Sequence, residues 1–274
     1  MSLKLFVGGA IVPFELRQFP AGETFLRLGY MPPAWGLSIK LNYESNSDLI
    51  DLALLVDALR REYGSEVEII LVMPYMPYAR QDRVCSPGES LSLKVVADFI
   101  NSLGFTEVVC YDLHSNVAEA LINNLVHRPA TEKIASLLEW LDHDTTVLVS
   151  PDAGANKKVL GIAKDHGFAH VVRADKTRDV LTGKVTGTAV YSEHVGNKDF
   201  LIVDDICDGG RTFTELAKEL RKLTDGQVML YVTHGIFSAG VEVFDGLVDK
   251  LYTSNPVGAK GEAAVASGKV SLVI

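Results

Sequence analysis

Asp204, Asp205 and Asp208 fall just ahead of Gly209, Gly210, Arg211 and Thr212, and the apolar run Phe200-Leu201-Ile202-Val203 precedes them. Adjacent carboxylates at the end of a strand can accept hydrogen bonds from two neighbouring sugar hydroxyls. The glycines let backbone N–H groups turn inward as an anion nest, and a helix opening at Thr212 adds its positive end. The combination suits a phosphorylated pentose. A polar turn in front of a capped helix is the plainer alternative, and three acids at this spacing weigh against it.

Three further clusters carry chemical groups. Pro74-Tyr75-Met76-Pro77-Tyr78-Ala79-Arg80-Gln81-Asp82-Arg83 holds two prolines, so a helix is disfavoured. Its tyrosines could sandwich a base and its arginines grip phosphates; a solvated loop with paired arginines is the alternative. Asp112-Leu113-His114 and Ser150-Pro151-Asp152 each end an apolar run, where a His or carboxylate can hold Mg²⁺. Asp175-Lys176-Thr177-Arg178-Asp179 has no apolar face. It reads as an exposed loop or as a mobile lid that carries Lys and Arg onto transferring phosphates.

The elements that must position these groups alternate. Leu5 to Val12 reads as a first core strand rather than a signal peptide, since the basic region before it is thin. From Asn46, with Asn46 or Ser47 as cap, apolar residues recur at helical spacing up to Gly64. Strand Glu68–Met73, helix Ser92–Leu103 and strand Val108–Tyr111 follow. The second half repeats the pattern: helix Thr131–Leu141, strand Thr146–Ser150, a helix after Ala155, strand Phe200–Val203, helix Thr212–Leu223 and strand Gln227–Val232. Such alternation predicts an α/β chain of parallel sheets with helices on both faces and ligands at the carboxyl ends of strands. A domain boundary is expected near Arg128-Pro129, and the tail from Gly258 reads as a linker ending in one strand.

The 274 residues suggest one large or two modest domains. A net charge of −9 lacks the basic footprint of a nucleic-acid binder. Cys85, Cys110 and Cys207 form no CxxC pair and fit a reducing cytosol. No apolar stretch is long enough to predict a membrane span.

Taken together the clusters resemble the phosphoribosyl pyrophosphate synthetase (ribose-phosphate diphosphokinase) family. The match runs through Val56-Asp57-Ala58-Leu59-Arg60-Arg61, Met73 through Arg83, Lys94 through Phe99, Asp112-Leu113-His114, Ser150-Pro151-Asp152, Val203 through Thr212 and Thr233 through Ser238, in one order over roughly residues 15 to 255. The resemblance implies two tandem type I phosphoribosyltransferase-like domains, residues 1–129 with the tail 259–274, and residues 130–258. It implies a cytoplasmic transferase that moves the pyrophosphoryl group of Mg-ATP to ribose 5-phosphate, for nucleotide or NAD synthesis.

By the same resemblance Lys176 and Arg178 are the catalytic lid pair, and His114 and Asp152 are the Mg²⁺ ligands. Arg80, Gln81, Asp82, Arg83 and His114 take ATP. Phe19, Gly22 and Glu23 contact adenine in a neighbouring subunit's site, so a homo-oligomer, dimer or hexamer, is implied. Asp204 and Asp205 meet the ribose hydroxyls, Asp208, Gly209, Gly210, Arg211 and Thr212 the 5-phosphate, and Arg178 shares that substrate. Three positions depart from the pattern: Ala21 stands where the family has an acid, Gly209 where it usually has Thr, and Arg211 where it usually has Gly. Segments like the family's ADP effector site are not evident, so weak or absent ADP allostery is expected. A type I phosphoribosyltransferase would share the Asp204-Asp205 loop without needing the tyrosine–arginine loop. A non-catalytic regulatory paralogue would be expected to lose the lid and Mg²⁺ residues that stand here.

Overall fold

The structure is a computed structural model. It describes residues 2–178, 185–192 and 196–274, with the backbone alone at 176–178 and 185–187. The chain divides into two compact units, Met1–Arg128 and Pro129–Ile274.

The first unit runs β1 (Leu3–Val7), β2 (Ala10–Val12), β3 (Phe14–Gln18), β4 (Thr24–Leu28), β5 (Gly36–Leu41), α1 (Ser47–Tyr63), β6 (Glu68–Val72), α2 (Ser92–Ser102), β7 (Glu107–Tyr111), α3 (Val117–Leu121) and β8 (Leu125–Arg128). The sheet order is β2-β1-β5-β6-β7-β8, and β5 to β8 are parallel. β3 and β4 pair separately as a hairpin. The single strand expected from Leu5 to Val12 is in fact broken. Gly8 and Gly9 take φ of 57° and 82°, cheap only without a Cβ, and fold β2 back onto β1.

β5 to β8 succeed one another across the sheet in one direction. Right-handed crossovers then put the helices on one face, and helices on both faces are not seen in this unit. Leu37, Ile39, Ile69 and Leu71 bury against α1 and α2 in one core. On the opposite face Phe6, Ser38, Lys40, Ile70 and Val72 line an open hollow of about 520 Å³. The start of α1 also differs from expectation. Neither Asn46 nor Ser47 caps it. The Asp48 carboxylate accepts the Glu44 and Ser45 N–H groups at 2.7 Å each, and Asn46 Oδ1 accepts the Tyr43 and Tyr78 hydroxyls at 2.7 Å.

The second unit runs α4 (Thr131–Leu138), β9 (Thr146–Ser150), α5 (Asn156–His166), β10 (Val171–Arg178), β11 (Val185–Tyr191), β12 (Asp199–Cys207), α6 (Arg211–Leu220), β13 (Val228–Gly235), β14 (Lys250–Pro256), α7 (Gly258–Ala266) and β15 (Val270–Leu272). Its sheet order is β11-β10-β9-β12-β13-β14-β15, parallel except for β11. The chain leaves β9 toward one edge and β12 toward the other, so crossovers cover both faces. Two cores result. One packs Val147, Val149 and Ile202 with α6; the other packs Leu148, Leu201 and Val203 with α4 and α5. Every residue of β9 and β13 is buried, as a two-sided parallel strand requires.

Three further expectations change here. The tail does not complete the first unit: β15 lies along β14, with Leu251 opposite Val270, because Ala264 and Val270 fill the core beside Leu251. β12 does not stop at Val203 but continues through Cys207, since β13 keeps pairing with it up to Gly235. Asp175 to Arg178 is no loop: the backbone is strand, with Lys176 opposite Thr188 and Arg178 opposite Val185. Asp179 lies outside the described residues.

Candidate active site

In the second unit β9, β12 and β13 end side by side, the usual place for a ligand in a parallel sheet. Val149 pairs with Ile202, so Asp152 and the Asp204-Asp205 pair leave neighbouring strand ends. Asp205 is buried and Asp204 partly so. The Asp205 N–H donates to Asp204 Oδ1 at 2.9 Å. Burial pushes the Asp204 carboxyl well above the ordinary range, and the charge of Asp205, a hydrogen bond with it and the charge of Asp152 add to the rise. Lys158, on α5, pulls the other way. Negative charge is thus crowded where sugar hydroxyls or a cation would relieve it.

Asp152 Oδ1 accepts the N–H groups of Gly154 and Ala155 at 3.0 and 3.2 Å, which orients the turn into α5. No group of three or more His, Cys, Asp or Glu in metal-holding arrangement occurs among the described residues. Mg²⁺ is commonly held by one or two carboxylates plus substrate phosphates. The oxygen donors crowded around Asp152 and Asp204 fit such an ion.

Beyond β12 the chain turns through Asp208 and Gly209 into α6. Gly210 opens that helix at φ 77°, and a Cβ there would lie 2.7 Å from the Phe244 ring. No side chain fits, so the N–H groups of this turn stay close to whatever binds. Gly209 carries no such restriction. The Ser238 hydroxyl donates to Asp208 Oδ1 at 2.5 Å and the Ser238 N–H to the Asp208 carbonyl at 3.1 Å. Arg211 Nε donates to Glu215 at 2.8 Å; the pair is one turn apart and Arg211 is exposed, so this bond holds it weakly. The side chains of Lys176 and Arg178 lie outside the described residues.

In the first unit the segment 74–83 is held from beneath by Met73, Met76 and Ala79, all buried. Tyr78 sits at φ 63°, and the Gln81 carbonyl accepts the Leu93 N–H at 3.2 Å. The Tyr78 hydroxyl is taken by Asn46, and Tyr75 lies against Tyr43 with ring centroids 6.3 Å apart. Burial, then Tyr78, Tyr75 and Asp48, push the Tyr43 hydroxyl up to about 12. Arg80, Gln81 and Arg83 are exposed and Asp82 is half-buried.

The loop after β7 starts with buried Asp112 at φ 40°. The Asp112 N–H donates to the Arg128 carbonyl at 2.8 Å and the Leu113 N–H to His127 Nε2 at 3.3 Å. His127 Nδ1 is 2.6 Å from Glu119 Oε1. Accepting at Nε2 requires the proton on Nδ1, where Glu119 receives it. His114 follows directly. Phe19 to Glu23 is the tip of the β3–β4 hairpin: the Phe19 N–H donates to the Glu23 carbonyl at 2.7 Å, Gly22 takes φ 91°, and the Phe19 ring is 53% exposed.

Sequence reasoning missed Lys158, Ser238 as a partner of Asp208, and the His127–Glu119 pair. Lys158 had a signal, since it stands in the first turn of the helix after Asp152. The others depend on contacts between distant segments and leave no local pattern.

A family model for the N-terminal domain of ribose phosphate pyrophosphokinase matches residues 7–104. A ribose-phosphate pyrophosphokinase of Vibrio parahaemolyticus is 32% identical over 237 residues, which cover 83% of this chain and 72% of that protein. The corresponding protein of Vibrio cholerae is 30% identical, covering 98% of this chain and 91% of its own length. The crystal structure of phosphoribosylpyrophosphate synthetase from Mycobacterium smegmatis superposes with a TM-score of 0.81 at 22% identity, covering 96% of this chain and 86% of that one. That likeness shows the α/β fold.

Proposed function

The chain belongs to the ribose-phosphate pyrophosphokinase family, a family of transferases, and we infer from this that it joins Mg-ATP and ribose 5-phosphate into phosphoribosyl pyrophosphate and AMP. The anomeric hydroxyl oxygen of ribose 5-phosphate attacks the β-phosphorus of ATP. The bond from that phosphorus to the α,β-bridging oxygen breaks, AMP departs with the oxygen, and the hydroxyl proton is released to the medium.

The observation that carries the reading is the crowding of Asp204, Asp205 and Asp152 beside the Gly210 turn. Carboxylates crowded together favour a ligand rich in hydroxyl donors, and the adjacent N–H groups favour its phosphate. In this reading Asp204 and Asp205 accept the ribose hydroxyls, and Asp208, Gly209, Gly210, Arg211 and Thr212 surround the 5-phosphate. Arg80, Gln81, Asp82 and Arg83, with His114, receive ATP. Asp152 and His114 would hold Mg²⁺, which when bound supplies charge neutralisation on the triphosphate. Lys176 and Arg178 would supply the remaining positive charge as it develops on the transferring group.

The same reading includes a homo-oligomer, dimer or hexamer, in which exposed Phe19, with Gly22 and Glu23, reaches a neighbouring copy's adenine. A cytoplasmic setting and service to nucleotide or NAD synthesis also belong to it. Among the described residues no helix is long and apolar enough to cross a membrane.

The test is direct. Purified protein with MgCl₂, ATP and ribose 5-phosphate should release AMP and phosphoribosyl pyrophosphate in equal amounts, read by ³¹P NMR. Release of ADP in place of AMP, or no turnover, would sink the assignment.

A further inference from the structure

The tail beyond β14 packs α7 close against β13. A Cβ on Gly261 would press on the Gly235 carbonyl oxygen, which itself accepts the Val257 N–H at 2.9 Å. From α7, Lys260 Nζ donates to the Ser238 carbonyl. Ser238 is also the residue that handles Asp208, through its N–H on the Asp208 carbonyl and its hydroxyl on Oδ1. The backbone leading into Ser238 has little slack. Phe237 sits at φ 49° with its ring buried, and the Ile236 and Phe237 N–H groups both donate to the Cys207 carbonyl.

Asp208 places a carboxylate in a turn that must receive another anion. Its direction therefore matters: turned onto the Ser238 hydroxyl, the carboxylate has a donor of its own. The ammonium of Lys260 fixes the peptide that presents that hydroxyl. We propose that Lys260 and Ser238 are positioning residues for the turn 208–212, a relay from α7 to the ribose 5-phosphate loop. The inference rests on reading that turn as the 5-phosphate loop.

Steady-state kinetics of the full chain test it. Lys260→Met should raise the KM for ribose 5-phosphate about threefold to tenfold, the range of one lost hydrogen bond, with kcat and the KM for ATP changed less than about twofold. Lys260→Arg should restore the parent value, because a guanidinium can donate to the same carbonyl. Ser238→Ala should give a similar rise, and the double variant no more than the larger single effect, since both residues act through one path. An unchanged ribose 5-phosphate KM in Lys260→Met, additive effects, or equal rises in both KM values would overturn the relay. So would Lys260→Arg behaving as poorly as Lys260→Met. If the parent protein releases no AMP, the functional reading fails by itself. The relay is then read by titrating inorganic phosphate and following the Gly209 and Gly210 amide resonances. Weaker phosphate binding by Lys260→Met upholds it, and equal binding refutes it.

Discussion

At the residue scale the acids of the second unit carry a pH consequence. The Asp204 carboxyl titrates above the ordinary range because burial, Asp205 and Asp152 disfavour its charge. In the unfolded chain it should titrate near the usual value of about 3.9. An acid with a raised folded pKa holds its proton more tightly in the fold, so its ionisation opposes folding. That cost is absent below the unfolded pKa, grows as pH rises toward the folded pKa and is complete above it. Asp204→Asn removes it. The unliganded variant should melt a few degrees above the parent at about pH 8, and the gap should close toward about pH 4. Melting curves across that range check the sign, and a variant that melts lower at the alkaline end contradicts it. Lys176 carries the catalytic counterpart. Lys176→Ala should lower kcat by at least ~10²-fold, as loss of one preorganised donor does. A loss under about threefold in single-turnover measurements removes Lys176 from the chemistry.

At the scale of elements, legibility in the sequence depended on burial. β9 and β13 are buried at every position and stood out by their apolar stretches, Val147-Leu148-Val149 and Val228-Met229-Leu230-Tyr231-Val232. α1 was legible from the spacing of Leu52, Val56 and Leu59, all in the core. The hairpin β10–β11 was not, because Asp175 to Arg178 looks like loop composition and pairs only with a strand further along the chain. The acid pair and Gly210 announced themselves locally. What holds Asp208 and Leu113 did not, since Ser238 and His127 arrive from other elements. Two glycines sharpen the point. At Gly210 an added methyl meets the buried Phe244 ring, on a backbone at φ 77° that strains any L side chain. At Gly261 it meets the backbone of Gly235. Gly261→Ala should therefore be destabilising, by about 1–3 kcal/mol as overpacking usually is, although it sits in a helix where Ala is normally favoured. Urea denaturation measures the loss; a stabilised Gly261→Ala would refute the close approach of α7 to β13.

At the scale of the whole molecule the chain is two units with separate interiors. Leu71 is fully buried in the first, and Leu71→Ala should cost about 2–5 kcal/mol there. Hydrogen exchange should then quicken at β5 to β7 and stay slow at β12 and β13; equal quickening in both would mean they open as one. The units also differ in how their sheets are clothed, one face against two, and this bears on how freely each can drift in sequence. Along β5 and β6 only every second position is constrained by packing, whereas β12 and β13 have almost no idle positions. A saturation library selected for folded protein should therefore show acceptance of polar residues that flickers on and off with each step along Gly36–Leu41 and Glu68–Val72, and is refused throughout residues 228–232.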